Sequence, residues 1–515
     1  MRAVRLENLW HISLIFMALS STLFACLLSC GDMEGKEENL FPASDFMIDQ
    51  SDLRQVYDLD TGESIRIYAG ESSQITLLGI ETQFDQVRGA VRSTSVLVDV
   101  NGEQIRIETG NYNLPRTIGN LRIDCPTTRD YYINTDEDQW GLDKDARLRI
   151  WPLEGTLFGE QTLVYPVAKQ RWMANRTQAG NEPTDDYLPF LTSIYYHCGV
   201  DFGGTDGVDE VVAAAGGTII SAGGEILAGY GDTPAQLQYM FIAKRTDVLY
   251  ILDDRGWYYR YSHLHSIDPS ISVGERVEAG DVIGLLGNEG HSGGWAHLHF
   301  EILIKQPSGR WGAEPAFPYL WEGYVEREKP KIIALARPHR FAQAGDAVAL
   351  DGSKSMSFDG EIVSYKWIFT DGDVSEGETV EHIYEHPGFY TEILKVTDKA
   401  GNVAYDFPIV QVVHADDQKL FYTYMHASNT PSKNIHIGDE VLFKARTFGF
   451  GGGEEQWDFG DGSSLHTTQS GNGPLGDYAS LTHTYAASGD YLVNISRTNH
   501  RGEPANTRLW VQVSE

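Results

Sequence analysis

Three short stretches of this sequence hold side chains that bind metal ions or move protons. The first is Tyr195-Tyr-His-Cys-Gly-Val-Asp-Phe202, with His197 and Asp201 four apart. The second is Tyr259-Arg-Tyr-Ser-His-Leu-His265, and the third is Trp295-Ala-His-Leu-His-Phe-Glu-Ile302, with His297 and His299 at alternate positions. Zinc prefers imidazole nitrogen and carboxylate oxygen in a tetrahedron, and a catalytic site keeps one position for water, so three protein ligands are wanted. Alternate residues on a strand face one side, which lets His297 and His299 share a site. His197 and Asp201 flank Gly199 and β-branched Val200, a segment without helical character, and a strand bending into a turn would bring both inward. A lone histidine is usually structural or exposed, and His-Leu-His occurs twice here, at 263–265 and 297–299. Taken singly each signal is weak, and the expectation is that the three stretches meet around one zinc ion.

The elements that must position these side chains read as strands. From Pro166 to about Pro318 the apolar runs are short and the turns glycine-rich, as in Gly216-Gly-Thr-Ile-Ile-Ser-Ala-Gly-Gly224 and in the run from Val273 to Gly287. Glycines at such spacing supply positive φ at corners. Val248 to Asp254 and Gly256 to Tyr261 are expected to pair as a hairpin. The expectation is an antiparallel β sandwich or barrel with few helices.

On either side lie further β-rich regions. Between about 45 and 155, Ser93-Thr-Ser-Val-Leu-Val-Asp-Val100 and Gln104-Ile-Arg-Ile-Glu108 alternate around Asn101-Gly102, a strong hairpin signal. This is read as a small N-terminal β domain whose residues show no chemistry. Residues 330 to 515 contain a repeat. Trp367-Ile-Phe-Thr-Asp-Gly372 matches Trp457-Asp-Phe-Gly-Asp-Gly462, His382-Ile-Tyr384 matches His483-Thr-Tyr485, and Gly388-Phe-Tyr390 matches Gly489-Asp-Tyr491. The second copy carries an insertion, Ser464 to Ser480, and lacks the Asp351-Gly-Ser-Lys-Ser355 opening of the first. Two β sandwiches fit, with Trp367 and Trp457 as core residues.

At 515 residues the chain is too long for one core. Its formal charge of −33 argues against nucleic acid and anionic lipid as partners, because the field repels both. Arg2 and Arg5 precede an apolar run from Ile12 to Leu28, near the short limit for spanning a bilayer. Such a start reads as an export signal over residues 1–30, followed by an acidic tether over 31–44. Beyond the signal only Cys125 and Cys198 remain, and export allows a disulfide between them or leaves two buried thiols. Cys198 as a zinc ligand is less attractive, since its neighbour His197 would face the other way on a strand.

Leu27-Leu-Ser-Cys30 resembles a bacterial lipobox, which implies that Cys30 is lipidated and anchors the chain in the cell envelope. Gly31 after it resembles the sorting signal for an outer membrane. The landmarks of the C-terminal repeat resemble polycystic kidney disease (PKD) domains, with an immunoglobulin-like fold, over 329–414 and 415–515. They are expected to hold the catalytic domain or to bind an envelope or matrix component.

His197-Cys-Gly-Val-Asp201, Tyr261-Ser-His-Leu264 and His297-Leu-His299-Phe-Glu, with Gly287-Asn-Glu-Gly-His-Ser-Gly-Gly294 between the last two, resemble the lysostaphin-like, LytM-type zinc metalloendopeptidases. The resemblance places that domain at 156–328, with its core at 195–303. It implies that His197, Asp201 and His299 hold the zinc and that His263 and His297 are catalytic, His297 as base and His263 as hydrogen-bond donor, or the reverse. It implies peptide cross-links of bacterial peptidoglycan as substrate. His265 and His291 are expected at the rim or in solvent. The alternatives are an exported endopeptidase acting on protein, a regulator without catalysis, or an adhesion protein. A latent form, with a fourth ligand supplied by the N-terminal domain or the 169–190 segment, is a further arrangement that no residue here marks.

Overall fold

The computed structural model describes residues 54–159, 161–184, 194–230, 242, 244–414, 424–449, 453–471 and 477–515. The export signal, the tether and Cys30 lie outside the described residues, as does most of the 464–480 insertion's middle and part of the 169–190 segment. Among the described residues, no helix is long and apolar enough to cross a membrane. All of them belong to the unit Asp49–Glu515.

The N-terminal region forms two four-stranded sheets. Ser64–Ala69, Glu71–Phe84, Val91–Val100 and Glu103–Glu108 make an antiparallel meander. At its last turn Asn101 and Gly102 both have positive φ, and Val100 pairs with Glu103. The other sheet holds Gln55–Leu59, Ala146–Pro152, Leu121–Thr128 and Arg116–Ile118. Ile75, Val96, Val98, Leu121, Leu148 and Ile150 fill the space between. In Ala146–Pro152 the alternation that sends Leu148 and Ile150 inward sends Arg147 and Arg149 out of the sandwich. Both arginines are nonetheless buried. Burying a guanidinium is tolerable only when it is paired. Arg149 pairs with Asp124 at 2.6 Å and with Glu314 of the next domain at 2.7 Å, and Arg54 joins Glu314 from the other side. That cluster fastens the N-terminal sandwich to the central domain.

The central domain is built on an open antiparallel sheet rather than a closed barrel. Its main path runs Glu225–Ile226, Gly217–Ala222, Leu249–Leu252, Tyr258–Ser262, His297–Lys305, Val200–Gly203 and Thr177–Gln178. The expected hairpin is present, with Leu249 opposite Tyr261. A second sheet, Glu210–Val212, Val282–Leu286 and Leu264–Ile267, packs on it. Ile251, Tyr259, Phe300 and Ile302 of one sheet share a core with Val211, Leu264, Ile283 and Leu286 of the other. The helix Phe317–Glu328, not read from the sequence, closes this core with Phe317, Leu320, Trp321 and Tyr324.

The two C-terminal modules are β sandwiches with Trp367 and Trp457 fully buried in their cores. The repeat shows in matched detail: His382 stacks on Phe369 at 3.9 Å, and His483 stacks on Phe459 at 4.0 Å. The modules also share one sheet. Gly388–Thr391 of the first lies parallel to Pro504–Ser514 of the second, with Phe389 opposite Ala505.

Cys125 and Cys198 are free thiols, so the disulfide that export would allow is not formed. Cys125 lies in the core of the N-terminal sandwich and donates to the Thr127 carbonyl. Cys198 packs at a separate apolar cluster and donates to Glu301 at 3.4 Å.

Candidate metal centre

The strand Val200–Gly203 runs antiparallel to His297–Lys305, and the register puts Asp201 opposite His299 and Gly203 opposite His297. Directly opposed residues on one sheet face lie close enough for their side chains to meet. Just before this strand the chain must cross the His299 ring. A Cβ on Gly199 would stand 2.6 Å from the Phe300 carbonyl and 2.8 Å from His299 Cε1, so only glycine fits. That crossing swings His197 onto the same face. Its backbone N–H donates to Glu182 O at 2.8 Å, which fixes the approach.

The outcome is a triangle. His197 Nε2 lies 3.0 Å from Asp201 Oδ1 and 3.0 Å from His299 Nδ1, and His299 Nδ1 lies 3.0 Å from the same Asp201 oxygen. The other ring nitrogens are engaged elsewhere. His197 Nδ1 faces the Ala179 carbonyl at 3.3 Å, and His299 Nε2 faces Glu301 Oε2 at 3.6 Å. With a proton on each of those nitrogens, both imidazoles turn a lone pair to the point where the Asp201 carboxylate also points. Three acceptors converging on one spot call for a cation. The spacing suits an ion with ligands at roughly 2.0–2.2 Å, as zinc has with nitrogen and carboxylate oxygen. Burial would raise the Asp201 carboxyl, but His197 and His297 outweigh it and hold the group well below its ordinary range.

His263 and His297 stand beside the triangle, their rings 4.7 Å apart. His263 is the corner residue at which the chain leaves Tyr258–Ser262 for the second sheet. Its φ of 66°, costly for a non-glycine residue, turns the imidazole toward the site. His263 Nδ1 faces the Glu289 carbonyl at 2.8 Å and His297 Nδ1 faces the Trp295 carbonyl at 3.1 Å. Each therefore presents an unprotonated Nε2 to the cleft, and that of His297 is 3.6 Å from Asp201 Oδ2. Burial lowers His297 to about 4, against the pull of Asp201. Burial, then His297 and His299, lower His263 well below its ordinary value. Both imidazoles are neutral near pH 7.

His265 is half-exposed and faces Asp206 at 3.2 Å, outside the site. His291 is exposed at the rim of the cleft.

Several contributors lie beyond the histidines. Glu301 is the next residue on the His297–His299 face of its strand, and the period of two is the signal that marks it. It is held at about 2: burial opposes this, but the His299 contact and Arg260, at 3.2 Å, prevail. Cys198, His299 and Glu301 form a second grouping of ligand-type atoms, with Arg260 already on the carboxylate. Cys198 thus lies behind His299 and outside the triangle. The cleft, about 370 Å³, draws its walls from three domains: Arg88 and Glu137 of the N-terminal sandwich and Tyr424 of the last module join the central residues.

Residues 195–308 match the family model of peptidase family M23. The chain carries a family M23 metallopeptidase domain. Models of the PKD domain match residues 328–409 and 427–512, so two PKD domains follow the M23 domain. Collagenase ColA of Clostridium perfringens is 35% identical over 68 residues, which are 13% of this chain and 6% of that one. The chain thus spans only a small part of the length of this curated relative. Among solved structures, the catalytic domain of the prophage-encoded M23 protein EnpA of Enterococcus faecalis is 18% identical, covering 30% of this chain and 92% of that one, with a TM-score of 0.18. A zinc-containing peptidase from Vibrio cholerae is 15% identical, covering 48% and 85%, with a TM-score of 0.21. The M23 match spans all five residues that the structure gathers at the cleft.

Proposed function

We propose that this protein is an exported, zinc-dependent endopeptidase that hydrolyses peptide cross-links of bacterial peptidoglycan. The observation that carries the reading is the triangle of His197 Nε2, Asp201 Oδ1 and His299 Nδ1, with two further unprotonated imidazoles beside it. A zinc ion held there would polarise a carbonyl and lower the pKa of water toward neutrality. The protein's own groups handle the proton. His297 Nε2 accepts it from the attacking water, and Asp201 Oδ2 nearby favours the imidazolium that results. The same nitrogen then delivers the proton to the departing amine. The family resemblance leaves open which of His263 and His297 is the donor. With its Nδ1 committed to Glu289 O, its Nε2 donates to a developing oxyanion only once it has itself taken a proton. His297, the closer of the two to the Asp201 carboxylate, is the better base.

Cys30 as a lipid anchor would hold the enzyme at the envelope, on an outer membrane where the cell has one, within reach of stem and bridge peptides. The PKD pair would orient it there or hold an envelope component. Digestion of purified peptidoglycan, read as release of new amino groups and by mass analysis of the fragments, tests the reading. Wild-type protein with one bound zinc should release amino groups, and His299→Ala should lose both metal and activity. Release from protein substrates alone would assign the protein-directed alternative. Full zinc with no release from either would leave the binding or regulatory reading.

A further inference from the structure

The loop that leads into His297 is soft by composition. Gly293 and Gly294 both adopt positive φ, and consecutive glycines bring the highest backbone entropy to a turn. A catalytic imidazole at the end of such a turn needs bracing. The bracing comes from another domain. Tyr424 donates to the Gly293 carbonyl at 3.1 Å, Arg446 donates to the Gly294 carbonyl at 2.6 Å, and the Tyr478 hydroxyl accepts from Ala296 N–H at 2.8 Å. All three belong to the second PKD domain. Tyr478 lies within the insertion that sets this repeat apart from the first. Its hydroxyl also meets His426 Nδ1 at 2.8 Å, and His426 reaches so far in that a Cβ on Gly203 would lie 2.8 Å from its Nε2.

Trp295 completes the link. It is almost fully buried, and it packs in the apolar core of the second PKD domain, with Tyr424, Met425 and Phe443. The same indole stacks on the His297 ring, with centroids 3.9 Å apart and planes 15° from parallel, and the Arg176 guanidinium lies 5.0 Å from its centroid. One indole is thus at once a core residue of the last domain and the floor under the proton-accepting imidazole.

We propose that the second PKD domain is an integral part of the catalytic centre, with Trp295 and Tyr478 as positioning residues that set the His297 ring over the metal triangle. The domain is then more than a tether, and Tyr424, Arg446 and Tyr478 are the residues that couple it to the cleft. The inference rests on the peptidase reading for its consequence in rate, but the bracing itself is measurable without turnover.

The test uses the full chain loaded with zinc. Tyr478→Phe, Trp295→Ala and Trp295→Phe are compared with wild type, and Trp367→Phe, in the core of the first PKD domain, controls for lost stability. Tyr478→Phe and Trp295→Ala should keep one zinc each. Hydrogen exchange in the peptide spanning 293–300 should quicken in both. Their kcat should fall roughly tenfold to a hundredfold, as small misplacements of a reacting group do, with KM within about threefold. Trp295→Phe, which keeps an aromatic face under the imidazole, should recover most of the rate, and Trp367→Phe should lower the melting temperature without slowing turnover. Unchanged exchange at 293–300 in Tyr478→Phe and Trp295→Ala would overturn the proposal. So would unchanged kcat in both. If wild type turns over no substrate, the peptidase reading fails, and the exchange measurement alone decides the coupling.

Discussion

Asp201 and His299 face each other across two antiparallel strands, with the carboxylate Oδ1 3.0 Å from the imidazole Nδ1. The metal triangle is thereby half built by strand register alone. His197 supplies the third corner from a segment outside the strand, which Gly199 allows to pass.

Removing a corner should remove the ion. Asp201→Asn keeps the shape but withdraws the charge that holds a cation and draws protons to His297. Metal analysis after dialysis should find zinc near zero in His299→Ala and clearly reduced in Asp201→Asn, with hydrolysis lost in both.

Gly199→Ala should act on the same corner through sterics. The added methyl meets the Phe300 carbonyl and the His299 ring, so the strand must shift. Overpacking of this kind costs about 1–3 kcal/mol. Denaturant titration should show a loss of that size, and zinc affinity should weaken with it.

Glu301→Gln should loosen zinc without touching it. The carboxylate sits 3.6 Å from His299 Nε2 and orients that ring from behind. Losing such a partner typically weakens metal binding roughly tenfold to a hundredfold. A competition titration with a chromophoric chelator would read this. Affinity equal to wild type would show that Glu301 serves Arg260 alone.

Acid should weaken the joint between the N-terminal sandwich and the M23 domain. Burial would raise Glu314, but Arg54 and Arg149 overcome it and hold the carboxyl at about 2. In the unfolded chain such a group protonates near 4.3. The folded pKa is the lower one, so this stabilisation is complete above about pH 4.5 and is lost as the pH falls toward 2. Urea midpoints should drop across that window. Glu314→Gln should flatten the drop and cost about 3–5 kcal/mol at neutral pH, since buried guanidinium groups lose their partner.

Reductant should leave stability unchanged, because Cys125 and Cys198 are unpaired. Alkylation of unfolded, unreduced protein followed by peptide mapping should label both.

Local pattern made the M23 site legible. His297 and His299 share a face by strand alternation, and the same rule reaches Glu301. The β class, the Asn101-Gly102 turn and the repeated Trp367 and Trp457 landmarks follow from periodicity and turn chemistry. The rest was carried by distant contacts. Nothing near His263 in sequence signals a left-handed corner at a non-glycine residue. Nothing beside Trp295 in sequence marks its role, because the core it fills is built by residues far along the chain. Tyr478 sat in an insertion that could be aligned with nothing. The helix Phe317–Glu328 was missed because most of its first two turns is buried, so the polar face that would mark helical periodicity is narrow.

The sheet shared by the two PKD domains has a mechanical consequence. Thr391 and Asn506 exchange hydrogen bonds across it, and Arg508 adds another to the Thr391 carbonyl. Modules joined in this way do not swivel like beads on a thread. They should resist stretching as a single stiff bar and melt in one step, so a load applied to either is felt by its neighbour.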